Sequence, residues 1–337
     1  MSECYVVTGG GGFIGKAIVK LLIERRPGCS IRVVARNHYA DLEKLPGVTS
    51  IQCDLSGPLE SIEAAFEGAH AVFHVAAKAG IWGAEESFFR ANVLASRQVV
   101  LAARSQNVAH IVYTSTPSVV FNGEPYTGEN ETLPYGKNWL GPYAKTKAMA
   151  EKETLASHDD SLRVCALRPH LVWGPEDNHI LPKLIRKAHA GRLVQVGNGE
   201  NRVDISYIDN VAHAHLLALE ALENGRAGGE AFFLSDAEPV KLWSWINSLL
   251  ERVAIEPIKK KIPLRAAYFL GSICEKLWSL FGRQDDPPMT RFVAVELAKD
   301  HYFSIEKAQR ILGYQPVVEA EVALKRTAEW IRSDLLS

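Results

Sequence analysis

Tyr143 and Lys147 stand four residues apart in Tyr143-Ala-Lys-Thr-Lys147, a spacing that puts both side chains on one face of a helix. A free tyrosine titrates near about 10 and is a sluggish acid–base group at neutral pH. A cation within about 4–6 Å stabilises the phenolate and lowers that value by roughly 1–3 units. Tyr143 is therefore read as the group that passes a proton, and Lys147 as the charge that tunes it. Tyr113-Thr-Ser-Thr-Pro117 gathers hydroxyls upstream. Thr116, with Ser115 as the alternative, would hold a substrate oxygen beside Tyr143.

Such a proton needs a partner reaction, and the N-terminus suggests one. Thr8-Gly-Gly-Gly-Gly-Phe-Ile-Gly15 lies between a strand-like run, Cys4 to Thr8, and a helical one, Phe13 to Arg25. Gly9 permits a tight turn, Gly12 lets backbone approach a pyrophosphate, and Gly15 lets helix and strand pack closely. The helix opening at Phe13 and Ile14 offers free N–H groups and a positive dipole end to phosphates. The pattern is that of a nicotinamide dinucleotide site, and Lys147 would also bond the nicotinamide ribose. The second strand ends Ala35-Arg36-Asn37, with no acid for an adenosine ribose hydroxyl. Arg36 suits a 2′-phosphate instead, which favours NADP(H) over NAD(H). Asp54, after the third strand, is read as an adenine contact or a helix cap.

The elements that must position these groups alternate. Strands are predicted at 4–8, 31–35, 48–53, 71–75, 110–114 and 162–167, with helices between them that include 88–104 and 143–157. This alternation implies an α/β, doubly wound parallel sheet of the Rossmann type. Beyond Pro169 the pattern loosens into helices at 178–190, 209–222, 242–253, 266–281, 291–298, 305–312 and 320–336, with a late strand near 232–234. The expected layout is a dinucleotide-binding domain, 1–175 plus 205–235, and a smaller, mostly helical substrate lobe, 176–204 plus 236–337.

Bulk properties narrow the function. The 337 residues are 47% hydrophobic and 23% charged with a net charge of −1, so no global field recruits nucleic acid. Five scattered cysteines without a Cys-x-x-Cys spacing read as reduced thiols of a cytoplasmic protein. No metal-ligand spacing stands out; His213 and His215, two apart on a helix, do not share a face. No transmembrane span is expected, since the apolar run 266–274 is far too short. The stretch 266–281 could wall a hydrocarbon channel, pack as core, or rest on a membrane or partner surface.

Taken together, these motifs resemble the extended short-chain dehydrogenase/reductase family over nearly the whole length. They include Asp54-Leu55, His74-Val-Ala76-Ala77, Asn92-Val, Leu167-Arg-Pro169, Trp173-Gly-Pro175 and Tyr207-Ile-Asp-Asn-Val211. Within that family the chain is similar to the 3β-hydroxysteroid dehydrogenase group. It is most similar to the branch reducing 2-alkyl-3-oxoalkanoates in long-chain olefin biosynthesis. His74 to Gly83, Pro117 to Phe121, Arg168 to Pro175, Asp177-Asn-His179 and Pro288 to Phe292 carry that closer resemblance.

The resemblance implies catalysis by Tyr143, Lys147 and Thr116, where serine is usual, with threonine's methyl restricting the rotamer. It implies cofactor contacts from Leu55, Ala76, Ala77, Asn92 and Pro169. It implies reduction of a long-chain β-keto acid to the β-hydroxy acid, with sterol-4-carboxylate or 3β-hydroxysteroid dehydrogenation as the alternative. A non-catalytic nucleotide sensor is a third reading, disfavoured by the intact Tyr143 and Lys147. Lys78, Trp82, His170 and Arg202 are the candidate substrate contacts, three of them as cations for a carboxylate. Homodimerisation through the Asn92 and Tyr143 helices is a family expectation, as is contact with other enzymes of the pathway.

Overall fold

Seven parallel strands form the central sheet: β1 (Cys4–Thr8), β2 (Ser30–Ala35), β3 (Val48–Gln52), β4 (Ala71–His74), β5 (His110–Thr114), β6 (Arg163–Pro169) and β7 (Ala231–Leu234). The computed structural model describes residues 3–336, apart from 138 and 237. The spatial order is β7-β6-β5-β4-β1-β2-β3. Chain progression therefore reverses between β1 and β4, the crevice where such sheets bind ligands.

Strand side chains alternate between two apolar layers, because the side-chain period of a strand is two. Tyr5 and Val7 join Ile31, Val33 and Phe73 on one face. Val6 joins Val34, Val72 and Ile111 on the other. The first face is covered by α1 (Phe13–Arg25) and α6 (Ile208–Glu223). The second is covered by α2 (Leu59–Phe66) and α3. Helix α3 runs Glu85–Phe88, passes through a π-helical turn at Phe89–Leu94, and continues as Ala95–Ser105. α4 spans Pro142–Ala156.

The C-terminal segments build a separate apolar core around Trp173, Ile246, Leu249 and Ile331. It is formed with α5 (Leu181–His189), α7 (Leu242–Arg252), α8 (Leu264–Leu280), α9 (Arg291–Glu296) and α11 (Ala320–Trp330), while α10 (Glu306–Leu312) packs on the main core. This region is less purely helical than its sequence suggests. A second sheet orders Val240–Lys241, Arg202–Val203, His301–Phe303 and Tyr126–Glu129 side by side. Two to four residues are too few to show a period-two pattern, so only tertiary pairing reveals them. The helix expected from Asn178 begins at Leu181, because the Asp177 carboxylate accepts from the backbone N–H groups of His179, Ile180 and Leu181.

Candidate active site

The hydroxyl turn leaves the C-terminal end of β5. Thr114 is held there by His215, whose Nε2 lies 2.8 Å from Thr114 Oγ1. His215 contributes nothing toward a metal, since its Nδ1 bonds the Val211 carbonyl one helical turn back. Ser115 is pinned by its own N–H, 2.6 Å from the Leu167 carbonyl. Thr116 is extended and caps the 3₁₀ turn Pro117–Val120, its Oγ1 accepting from Ser118 N at 3.2 Å.

α4 starts at Pro142, and proline at the first helical position is pre-organised for a helix. That start delivers Tyr143 to the turn, where Thr116 acts on its phenol while the Thr116 hydroxyl donates to Ser118 Oγ at 3.2 Å. Ser115 Oγ is buried with no partner among the described residues. Of the two candidate hydroxyls, Thr116 is the one whose side chain acts on the Tyr143 phenol.

Lys147 lies one turn along, fully buried. Its ammonium donates to Tyr113 OH at 2.6 Å and to the Thr114 carbonyl at 2.7 Å. The sequence reading had Lys147 lowering the tyrosine, and the arrangement differs. Burial dominates at both groups, pushing Tyr143 up to about 12, with the Thr116 bond pulling the other way. Burial lowers Lys147 to about 7, with Glu151 raising it in opposition.

Glu151 was missed from the sequence, although Tyr143, Lys147 and Glu151 repeat at the spacing of one helix face. Its carboxylate is wholly buried and accepts from Arg168 Nε at 3.0 Å and Nη2 at 2.5 Å. Arg168 stands on β6, with its guanidinium 5.0 Å from the Phe233 ring centre.

The cofactor cradle can be tested by what a side chain would meet. Gly9 has φ +66°, and a Cβ there would sit 2.8 Å from Ala76 Cα. At Gly15 a Cβ would come within 2.4 Å of the Gly9 carbonyl oxygen. Each would force backbone apart, so loop and helix can close only with glycine. Gly12 faces open space except for Gly9 O, and no side chain caps α1 or places an acid in its first turn. A pyrophosphate fits that environment. Phe13 and Ile14 sit at the start of α1, partly buried against the core. Thr8 Oγ1 fastens the crevice by accepting from Val75 N and Ala76 N, 3.2 Å each.

Arg36 is exposed beyond β2, and its charge acts on Asp54. Asp54 does not cap the next helix; it closes its own turn, accepting from Ser56 N at 2.9 Å. Arg90, from the π-helical turn, approaches Asp54 at 4.0 Å and adds a second cation to this rim. Tyr39, also unforeseen, lays its ring where a Gly11 Cβ would fall, 2.1 Å away. Leu55 places its side chain in the core, Ala76 and Ala77 follow β4, and Pro169 ends β6 beside Leu234. Asn92 spends its side chain on the protein. It accepts from Lys78 N at 2.7 Å and donates to Lys78 O and Thr146 Oγ1 at 3.2 and 3.0 Å. It clamps the loop after β4 to α4.

The substrate candidates divide. Lys78 and Trp82 lie on the loop after β4; Lys78 Nζ donates to Ser87 Oγ at 2.6 Å, and Trp82 Nε1 to the Arg283 carbonyl at 2.9 Å. His170 cannot serve as a cation. Its ring is buried, hydrogen-bonded to His301 at 2.7 Å, and burial holds it well below the usual histidine range. His170, His301 and Glu296 have ligand atoms within 4.8 Å. His301 Nε2 lies 2.7 Å from the Glu296 carbonyl, so a chain of hydrogen bonds already accounts for that cluster. Arg202 lies in the second sheet, its N–H on Asp300 and its guanidinium over Tyr302, and is not brought to the catalytic turn.

Comparison with known proteins places this geometry. The model of the 3-beta hydroxysteroid dehydrogenase/isomerase family matches residues 6–264. The chain belongs to this family. It is an oxidoreductase of the extended short-chain dehydrogenase/reductase kind. Over 324 residues it is 44% identical to a 2-alkyl-3-oxoalkanoate reductase of Stenotrophomonas maltophilia, covering 95% of this chain and 97% of that one. It is 32% identical to a sterol-4-alpha-carboxylate 3-dehydrogenase, decarboxylating, of Mus musculus, covering 97% and 90%. Among solved structures, MoeE5 in complex with UDP-glucose and NAD superposes with a TM-score of 0.76 at 23% identity, covering 99% and 100%. That last likeness concerns the fold alone.

Proposed function

We propose that this oxidoreductase reduces the 3-keto group of a long-chain 2-alkyl-3-oxoalkanoate to the 3-hydroxy acid with NADPH. The observation that carries the reading is the Tyr143–Thr116 pair at the end of β5, set on a chain 44% identical end to end to a reductase of that name. The preference for NADP(H) rests on Arg36 and Arg90 at a rim whose strand ends without an acid. Gly9, Gly12, Gly15 and the start of α1 would hold the pyrophosphate.

When bound, the reduced nicotinamide supplies the hydride for the carbonyl carbon. Thr116 Oγ1 and Tyr143 OH hold the carbonyl oxygen, and Tyr143 donates its proton as that oxygen becomes a hydroxyl. A phenol at about 12 is fully protonated at neutral pH, which suits reduction. Lys147, one turn along α4, supplies its positive charge to the site through Tyr113 and the Thr114 carbonyl rather than on the phenol itself. Lys78, on the loop after β4, is the substrate-side cation of this reading, and His170 is excluded from that role. Five free thiols support a cytoplasmic setting, and dimerisation through α3 and α4 completes the proposal.

The test is a matrix of NADPH and NADH against 2-alkyl-3-keto acids of graded length and against 4-carboxysterols. Keto-acid reduction with NADPH is expected to dominate. Faster sterol oxidation with NAD would transfer the chain to the second reading, which the 32% identity to the sterol dehydrogenase supports. No turnover of any keto acid sinks the first.

A further inference from the structure

α8 is apolar on the side that faces away from the protein. Phe269, Leu270, Ile273, Leu277, Leu280 and Phe281 are 39–77% exposed. At 100° per residue they form a continuous stripe roughly 120° wide. Ala267, Gly271 and Cys274 are buried on the other side. Gly271 lets α8 lie directly on the start of α9, where a Cβ would be 2.6 Å from the Thr290 carbonyl carbon. The helix is therefore seated, and its outer face is left over.

The charge around that face is positive in excess. Residues 257–284 carry six cations and a single acid, in a chain whose net charge is −1. The acid, Glu275, is buried and holds Arg291 at 2.6 Å. Just outside the segment, Glu256 and Asp285 offset Lys259 and Arg283, and Asp286 is held by Lys183, so the positive excess rests on four cations. Lys260, Lys261, Arg265 and Lys276 form no ion pair among the described residues. Arg265 and Lys276 border one edge of the apolar stripe, and the lysines precede it. An apolar stripe edged by cations matches an anionic lipid surface, with acyl chains for the stripe and headgroups for the rim. No described helix is long and apolar enough to cross a membrane, so α8 would lie in the interface.

The end of this helix meets the loop after β4. Trp82, on the loop after β4, bonds the Arg283 carbonyl just past the end of α8. A groove of about 580 Å³ opens along α8, lined in part by Leu140, Leu264, Tyr268 and Val295, with Arg265 and Lys299 also in its lining.

We propose that α8 docks the protein on an anionic bilayer, from which an apolar substrate reaches the groove along this helix. The purpose of docking rests on the keto-acid reading; the docking itself does not. Flotation with vesicles of phosphatidylcholine alone, or with a quarter phosphatidylglycerol, tests it. The expected result is binding to the anionic vesicles at low salt, at least about fivefold weaker in 0.5 M salt, where screening is strong. Leu280→Ser/Phe281→Ser and Lys276→Glu should each reduce the bound fraction about tenfold.

Turnover of a short, water-soluble 2-alkyl-3-keto acid, measured without vesicles, should be unchanged in both variants. Its absence in the wild type would overturn the keto-acid reading and leave the flotation result to decide docking. Absence of wild-type flotation at low salt, or flotation indifferent to both variants, overturns the docking. So does an oligomer that Leu280→Ser/Phe281→Ser dissociates while wild type ignores vesicles; that outcome assigns the face to a second copy of the chain.

Discussion

In the proposed reaction the donor must keep its proton until the carbonyl oxygen arrives, and the burial of Tyr143 meets that need. Burial holds the phenol at about 12, with Thr116 pulling it the other way. Tyr143→Phe removes the proton and keeps the ring. Turnover should fall by roughly 10²–10⁴-fold, with NADPH affinity, read by fluorescence titration, unchanged. Undiminished turnover would refute the role. Lys147 adds a pH signature. Its ammonium is held at about 7, so it loses its charge as pH rises through neutrality while Tyr143 stays protonated. Keto-acid reduction should therefore decline by about tenfold per pH unit above that point in kcat/KM. A flat profile between pH 6 and 9 would show that the lysine charge is not required.

At the scale of elements, α4 is the part on which the site depends, because one face carries Tyr143, Lys147 and Glu151. The Glu151–Arg168 pair ties that face to β6, and its two bonds are fully enclosed. Breaking a buried pair by removing one partner strands the other, at a cost of about 3–5 kcal/mol. Glu151→Gln should lower the thermal midpoint accordingly. It should also move the pH limb of kcat/KM to lower pH, since Glu151 raises Lys147. Glu151→Leu/Arg168→Met should recover much of the stability and leave the limb displaced. A double variant with the wild-type limb would reduce the pair to a packing role. The π-helical turn in α3 serves the same end, since it presents Asn92 between the loop after β4 and Thr146 of α4.

Across the whole molecule, buried titratable groups oppose one another. His74, His170 and His215 are held neutral by burial, at about 3, well below normal, and about 4. Below about 6.5 the unfolded chain protonates these histidines and the folded one does not, so each destabilises the fold as pH falls. Asp204 and Asp236 are raised by burial to about 7 and 6. They take up protons in the fold before the unfolded chain does, and stabilise it over nearly the same interval. That offset ends near about 4, where unfolded aspartates also protonate. The thermal midpoint should change little between pH 7 and 5 and drop steeply below 4. A steep loss already at pH 6 would show that the aspartates do not compensate.

Local pattern determined much of this protein. The alternation of apolar runs fixed the parallel sheet, the glycine spacing fixed the nucleotide crevice, and the four-residue step fixed the shared face of Tyr143 and Lys147. Each depends on groups close in the chain, where period and spacing are direct geometry. Tertiary structure decided the rest. It sent the Lys147 ammonium to Tyr113 and Thr114, and enclosed Glu151 with Arg168. It also took His170 out of contention by burying it against His301. It assembled a second sheet from strands too short to read. These outcomes depend on which distant side chains meet and how much water they lose. That is set when 337 residues pack together, since burial and pairing across the chain carry no local signature.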